Sequence, residues 1–143
     1  MDEEQNSAGH MINFVEQTNL PYVNVTIEGQ KVKTLLDTGA SISVMSKRLF
    51  DRLKNTDRGV QLEPTSIQLR GPNSQELYMY GECSIDLSLG NYHYPLNAIV
   101  SDISPDMIIG SPFIKSNGIQ IDLRNNVLTC PDSGESISIN CIV

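Results

Sequence analysis

The chain has 143 residues, a net charge of −7 and a pI near 4.6, and this length suits one domain. Phosphate contacts need clustered Lys and Arg, so we exclude nucleic acid as a partner. No apolar run approaches the roughly 18 residues of a membrane span, so we exclude a membrane partner as well.

The cysteines and histidines exclude two further classes of site. Cys83, Cys130 and Cys141 are an odd number without a CxxC pair. They fit buried thiols in a reducing compartment better than a disulfide framework, so we predict a cytoplasmic location. His10 and His93 are isolated, and we predict neither a metal nor any other cofactor.

The chain opens with a polar, acidic stretch and then changes character. Residues 1–19 show no sustained period, and we predict a flexible leader there. From Tyr22 onward, short strands separated by turns predict a mainly β domain. Tyr22–Ile27 and Gln30–Leu36 are predicted to form the first hairpin.

Asp37-Thr38-Gly39-Ala40 follows this hairpin directly. An acid that follows two core leucines costs free energy unless it is hydrogen-bonded or shares a proton, and Gly39 permits a tight turn and a close ligand approach. Paired aspartates share one proton and activate water. The triplet occurs once, so this chemistry would need Asp37 from each of two subunits. The alternative is an ordinary turn, because Asp and Gly are common turn formers.

The middle of the chain predicts one helix and two hairpins. Ser46 would open the helix, whose apolar side chains share one face. Residues 55–64 would form a polar loop. The helix face is Leu49, Phe50 and Leu53, and the hairpins are Thr65–Arg70 with Gln75–Tyr80 and Cys83–Leu89 with Tyr92–Val100.

A second motif lies some seventy residues after Asp37. Pro105–Gly110 is an apolar strand ending in glycine. Ser111 is predicted as the N-cap of a short helix with Pro112 at its first position, and Asn117-Gly118 would end that helix. Near the end of the chain, Ser136–Ile142 alternates apolar and polar residues, which predicts one strand with a covered face.

The order of these parts resembles the retropepsins, the aspartic proteases of retroviruses and LTR retrotransposons, and most closely their gypsy-type branch. The resemblance runs from about Leu20 to Cys130 and depends on both separated motifs, Asp-Thr-Gly-Ala and Ile-Ile-Gly. It implies a mainly β fold: a retropepsin-like closed β-barrel with one or two short helices and a flap hairpin, assembled as a homodimer. Residues 1–19 would be the leader, 20–130 the protease domain, and 131–143 a loop and strand at the dimer interface.

The resemblance also implies roles for individual residues. Asp37, Thr38 and Gly39 would be the catalytic triplet, with Thr38 bonding across the dimer. The substrate-binding residues would be Leu35, Ala40, Ser41, Val44, Arg70, Gly71, Pro72, Asn73 and Ile108. The aliphatic members would wall the substrate pockets, with core packing as the alternative. Residues 70–74 would be the flap that closes over the peptide, with an ordinary surface hairpin as the alternative.

Two positions depart from the retroviral pattern. Many retroviral enzymes place Asp after the Ala and Arg after Ile-Ile-Gly as an ion pair, whereas this chain has Ser41 and Ser111. Retroviral flaps are rich in glycine and offer backbone N–H groups, but Pro72 has no N–H to donate. We therefore expect the polar contacts with the substrate to differ from those of the retroviral enzymes at both positions.

We predict an aspartic endopeptidase that processes a retroelement polyprotein as a homodimer, in the cytoplasm or within virus-like particles. Its partner would be an extended polypeptide substrate added as a strand. Ile119–Leu123, Val127–Cys130 and Ser136–Ile142 would enter the dimer sheet. The alternatives are a cellular retropepsin-like protease domain and a catalytically silent dimerisation or peptide-binding module.

Overall fold

Strands make up about half of the described residues, as expected for the predicted mainly β domain. The structure, a computed structural model, describes residues 10–11, 20–56 and 59–142. The strands are β1 His10–Met11, β2 Leu20–Ile27, β3 Gln30–Asp37, β4 Val44–Ser46, β5 Leu69–Arg70, β6 Met79–Leu89, β7 Tyr92–Ser101, β8 Met107–Gly110, β9 Gln120–Asp122, β10 Val127–Cys130, β11 Glu135–Ser138 and β12 Asn140–Ile142. The helices are α1 Lys47–Leu53, α2 Ser111–Ser116 and a 3₁₀ turn over Pro72–Ser74. The predicted mainly β class with short helices is confirmed.

The main sheet has seven strands in the order β12-β2-β3-β8-β4-β7-β6. A further pairing joins β2 to β6, so six of these strands close into a ring. Closure leaves few exposed sheet edges. It also places β3 and β8, which carry the two sequence motifs, side by side in parallel.

The local predictions for the first half of the domain are confirmed. β2 and β3 pair as a hairpin with Val25 opposite Val32. The buried residues of β2 alternate with less buried ones, as expected for a strand with one face on the core. Ser46 caps α1 by accepting from the Leu49 N–H at 3.0 Å, and the predicted apolar face of this helix is buried.

Two apolar clusters lie on the sheet formed by β3, β8 and β4. Leu36, Met45 and Ile109 belong to the larger cluster, which includes the buried faces of both α-helices. Neighbouring residues on the same strands belong to a second cluster, because successive side chains of a strand point to opposite faces. The members of this second cluster are Leu35, Ala40, Val44, Leu69, Ile99, Ile103 and Ile108.

The C-terminal strands require one correction. The prediction of a single strand over Ser136–Ile142 is wrong, because β11 pairs with β10 whereas β12 pairs with β2. Ile139 lies between them with its side chain buried, and its N–H donates to the Asn126 carbonyl at 2.9 Å. Alternation continues through this junction, so the sequence indicates the covered face and not the change of partner.

The two ends of the chain make contacts within the subunit. β9, β10 and β11 form a three-stranded antiparallel sheet, and Leu128 and Cys130 of β10 are fully buried in the larger cluster. Their entry into a dimer sheet stays a prediction. At the other end, β1 pairs in parallel with β5, and the rest of the predicted leader, 1–9 and 12–19, lies outside the described residues.

Two cysteines match the prediction of buried thiols. Cys83 and Cys130 are buried and free. Burial raises the pKa of the Cys83 thiol to about 12 and also raises that of Cys130. Both therefore stay protonated near neutral pH, which makes them poor nucleophiles. The side chain of Cys141 lies outside the described residues.

Candidate active site

Asp37 is the last residue of β3, and the parallel ladder places it opposite Gly110 at the end of β8. The chain turns sharply after Asp37, since the Ala40 N–H donates to the Asp37 carbonyl at 3.0 Å. The Gly39 N–H donates to Asp37 Oδ1 at 3.1 Å. The first motif is therefore a tight turn built on a strand end, and the turn itself holds the carboxylate.

Backbone and hydroxyl bonds fix this turn to the second motif. The Ser111 N–H donates to the Ala40 carbonyl at 2.8 Å. The Gly110 N–H donates to Ser43 Oγ at 3.0 Å, and the Ser43 carbonyl accepts from the Ile99 N–H at 3.1 Å. Residues 37–43 are thus tied to β8 and β7, and a carboxylate on this loop has a defined position.

Sequence reasoning missed Ser43. Its hydroxyl is the side-chain acceptor for a buried N–H of the second motif, and the residue itself is buried. The available signal was a hydroxyl residue in a loop that leads into apolar β4, but this pattern is common. A partner 67 positions away becomes visible only once β3 and β8 are paired.

Ser43→Ala is expected to lower the free energy of unfolding by about 1–3 kcal/mol, because the buried Gly110 N–H loses its acceptor. Urea titration would measure this change. Ser104→Ala is the matched control, since Ser104 is exposed, and it should change stability by less than about 0.5 kcal/mol. Equal stability of the two variants would show that the Ser43 hydroxyl does not support the loop.

The rim of the turn is more open than the sequence indicated. We expected Asp37 to be a buried acid, but it is half-buried, and Thr38 and Gly39 are exposed. Ala40 is fully buried within the second apolar cluster. The turn is therefore exposed at Thr38 and Gly39, whereas the buried side chain of Ala40 packs into the second apolar cluster.

Ser41 and Ser111 occupy the two positions at which many retroviral enzymes carry an Asp–Arg ion pair. Ser41 is exposed, and Ser111 lies at the start of α2. The two segments are joined through the backbone, by the Ser111 N–H and the Ala40 carbonyl. The predicted N-cap also shifts by one residue: Gly110 is the N-cap, and Ser111 begins the helix. The chain turns at Gly110, where β8 meets α2.

The three predicted pocket-wall residues lie together. Leu35, Val44 and Ile108 are all buried members of the second cluster. The ladders align them, because Ile108 lies opposite Leu35 on one side and Val44 on the other. Leu69, on the hairpin arm that precedes the predicted flap residues 70–74, belongs to the same cluster, and Leu77 packs against it. The hairpin therefore lies against these aliphatic side chains.

The predicted flap is a hairpin with shorter strands than expected. β5 covers only Leu69–Arg70, and the return arm becomes part of a strand at Met79. Arg70 bridges to Glu76 across the hairpin, and its guanidinium donates to the Ser74 carbonyl at 2.8 Å. Arg70, on the first arm of the hairpin, therefore contacts both the tip and the second arm.

The tip of this hairpin has an uncommon backbone. Asn73 and Ser74 both have positive φ, at 64° and 59°, a region that costs non-glycine residues free energy. Pro72 precedes them within the 3₁₀ turn. Gly71 lies against Leu77 and is buried.

Among the described residues, no group of three or more His, Cys, Asp or Glu side chains could hold a metal ion. In the same part of the chain, neither helix has the length and apolar character needed to cross a membrane.

Comparison with known proteins gives consistent matches. A family model described as an aspartyl protease matches residues 23–113. The chain is 34% identical over 101 residues to a retrovirus-related Pol polyprotein from transposon 412 of Drosophila melanogaster, covering 67% of this chain and 8% of the polyprotein. It is 25% identical over 130 residues to DNA damage-inducible protein 1 of Candida glabrata, covering 90% of this chain and 30% of that protein.

A solved structure matches at the level of the fold and the sequence. The retroviral protease-like domain of Ddi1 from Leishmania major superposes with a TM-score of 0.63 at 26% identity, covering 91% of this chain and 95% of that domain. The chain spans less than a third of either curated relative but nearly all of this domain.

Proposed function

This chain belongs to the aspartyl protease family, and from that premise we propose that it is an aspartic endopeptidase that works as a homodimer. Each subunit would supply one Asp37 to a shared site. The observation that carries the proposal is the position of Asp37, on a tight turn tied by hydrogen bonds to the Ile-Ile-Gly strand.

The chemistry follows from two carboxylates placed together. Two Asp37 carboxylates placed side by side would repel each other if both were charged, so they would share one proton. The ionised carboxylate would take a proton from a water molecule, and the protonated one would donate to the carbonyl of the scissile bond. The bonds that fix residues 37–43 support this role, since catalysis depends on accurate positioning.

The exposure of the turn supports the dimer. Asp-Thr-Gly occurs once in the sequence, so one subunit carries half of such a site. Thr38 and Gly39 are exposed and Asp37 is half-buried. A second subunit placed against this edge would complete the carboxylate pair and cover the turn.

We propose a polyprotein of a retroelement as the substrate. The similarity to a transposon Pol polyprotein supports this choice. The aliphatic cluster beneath the flap supports a preference for apolar side chains at the scissile bond, once the flap lifts from it. An extended peptide would bind there as an added strand.

A second candidate is a protease domain that serves a cellular protein. The similarity to DNA damage-inducible protein 1, which spans more of this chain, favours it. The two candidates differ in substrate and not in chemistry. Digestion of the retroelement's polyprotein and of a mixed set of cellular peptides, with and without pepstatin, would distinguish them. Pepstatin is an analogue of the transition state formed at paired aspartates.

We expect peptidase activity to rise more steeply than linearly with protein concentration near the dimer dissociation constant. Each subunit carries −7, so the dimer carries 2 × (−7) = −14, and added salt should favour association by screening repulsion. Sedimentation and cleavage rates measured over the same dilution series would test this. A fully active monomer would overturn the dimer proposal.

A further inference from the structure

The predicted flap has two neighbours in this chain, one on each edge of β5. On one edge is its own hairpin arm, with the Leu77 N–H donating to the Leu69 carbonyl at 3.0 Å and the Gly71 N–H donating to the Gln75 carbonyl at 2.9 Å. On the other edge is β1, which runs parallel with His10 opposite Leu69 and Met11 opposite Arg70. The second edge of the flap is therefore filled from within the chain.

An unfilled strand edge presents N–H and C=O groups that pair readily with another strand. A peptide recognised in this way is held by its main chain and by its extended shape. Arg70 and Gly71 are among the residues to which we assign substrate contacts. The backbone of residues 10–11 therefore takes the kind of position that an extended peptide would take beside the flap.

We propose that the segment around His10–Met11 is an internal occupant of the flap edge and competes there with the peptide substrate. This inference rests on the proposed function, because the competing ligand is the substrate of that site. It also changes the role of the N-terminal region, which the sequence predicts to be a flexible leader. The segment would lower the apparent affinity for substrate without contributing to the chemistry.

The connection to the domain makes such competition effective. Eight residues, 12–19, separate β1 from the first residue of β2, and a short tether gives an effective concentration on the order of millimolar. A substrate must displace this local strand before it can pair with the flap. The apparent dissociation constant then rises in inverse proportion to the fraction of molecules with a free edge.

A cavity of about 90 Å³ lies between the two arms of the hairpin, with Leu69 and Arg70 on one side and Leu77 and Met79 on the other. This volume suits one small side chain.

The test uses the full chain with His10→Pro and Met11→Pro combined, since proline removes the N–H groups that a strand ladder needs. The matched control carries Asp2→Pro and Glu3→Pro, which add the same two prolines outside β1. Both are assayed well above the dimer dissociation constant. We expect the β1 variant to have a KM at least about threefold lower than the control, with kcat unchanged.

Amide hydrogen exchange provides the structural measurement. The Arg70 amide, which lies on the edge that β1 covers, should exchange at least about threefold faster in the β1 variant than in the control, because that edge is then open. A synthetic peptide of residues 1–19 added to the β1 variant should restore the higher KM. An unchanged KM, or unchanged exchange at Arg70, would overturn the inference.

A second arm separates this inference from the proposed function. Both proline variants are made in an Asp37→Asn background, and binding of a fluorescent peptide of residues 1–19 is measured directly. Tighter binding to the β1 variant supports the internal occupant even if no form of the chain cleaves peptides. Equal or absent binding to both overturns it, whatever the cleavage assays show.

Discussion

Replacing Asp37 by asparagine is expected to lower peptide cleavage by at least about 100-fold, the lower end of what positioned acid–base groups contribute. An amide can neither ionise nor share a proton with its partner, so the water loses its base. The fold should survive, because the asparagine would keep a side-chain oxygen that can accept from the Gly39 N–H, as Asp37 Oδ1 does. Asp37 is also half-buried and not part of the core.

The matched control is Asp132→Asn, which makes the same change of charge at an exposed position. Cleavage of one peptide and the free energy of unfolding would be measured for both variants. Mixing equal amounts of wild type and Asp37→Asn subunits adds a test of the shared site, since random pairing leaves about a quarter of the dimers with two aspartates. A pure Asp37→Asn protein that cleaves at the wild-type rate would remove Asp37 from the mechanism.

The hairpins can be predicted from the sequence because the residues that specify each pairing lie close together in the chain. The alternation in β2 and β3 and the Glu28-Gly29 turn set a pairing that spans few residues. The helix opened by Ser46 is equally local, with its cap and its apolar face within eight residues. Asp-Thr-Gly was visible in the same way, as an acid and a glycine directly after an apolar strand.

The remaining features depend on contacts between distant parts of the chain. The alignment of Asp37 with Gly110 needs a parallel ladder between strands seventy residues apart, and no local pattern specifies such a register. The division of Ser136–Ile142 depends on which strand edge is open, β10 or β2. The pairing of β1 with β5 is of the same kind, because it joins backbone segments 59 positions apart that no local pattern connects.

Gly110 is the residue whose side-chain size these long-range contacts restrict most closely. Its φ of −90° is one that any residue adopts, so the requirement for glycine is one of space. A Cβ added there would lie 2.6 Å from the Ile42 carbonyl oxygen and 2.9 Å from the Ala40 carbonyl oxygen. Both are backbone atoms of the loop that carries Asp37, and they cannot move away as a flexible side chain would.

Gly110→Ala is therefore expected to displace the Asp37 loop and to cost about 1–3 kcal/mol of stability, as overpacking does. Cleavage should fall by about 100-fold, the effect of a misplacement near 1 Å on a positioned catalytic group. Gly71→Ala is the control for stability, because its Cβ would meet only the flexible Leu77 side chain, at 3.3 Å. Activity retained in Gly110→Ala at wild-type stability would mean that the loop does not depend on the close approach of Gly110. The hydrogen bonds of Ser43 and Ala40 would then be enough to hold Asp37 in place.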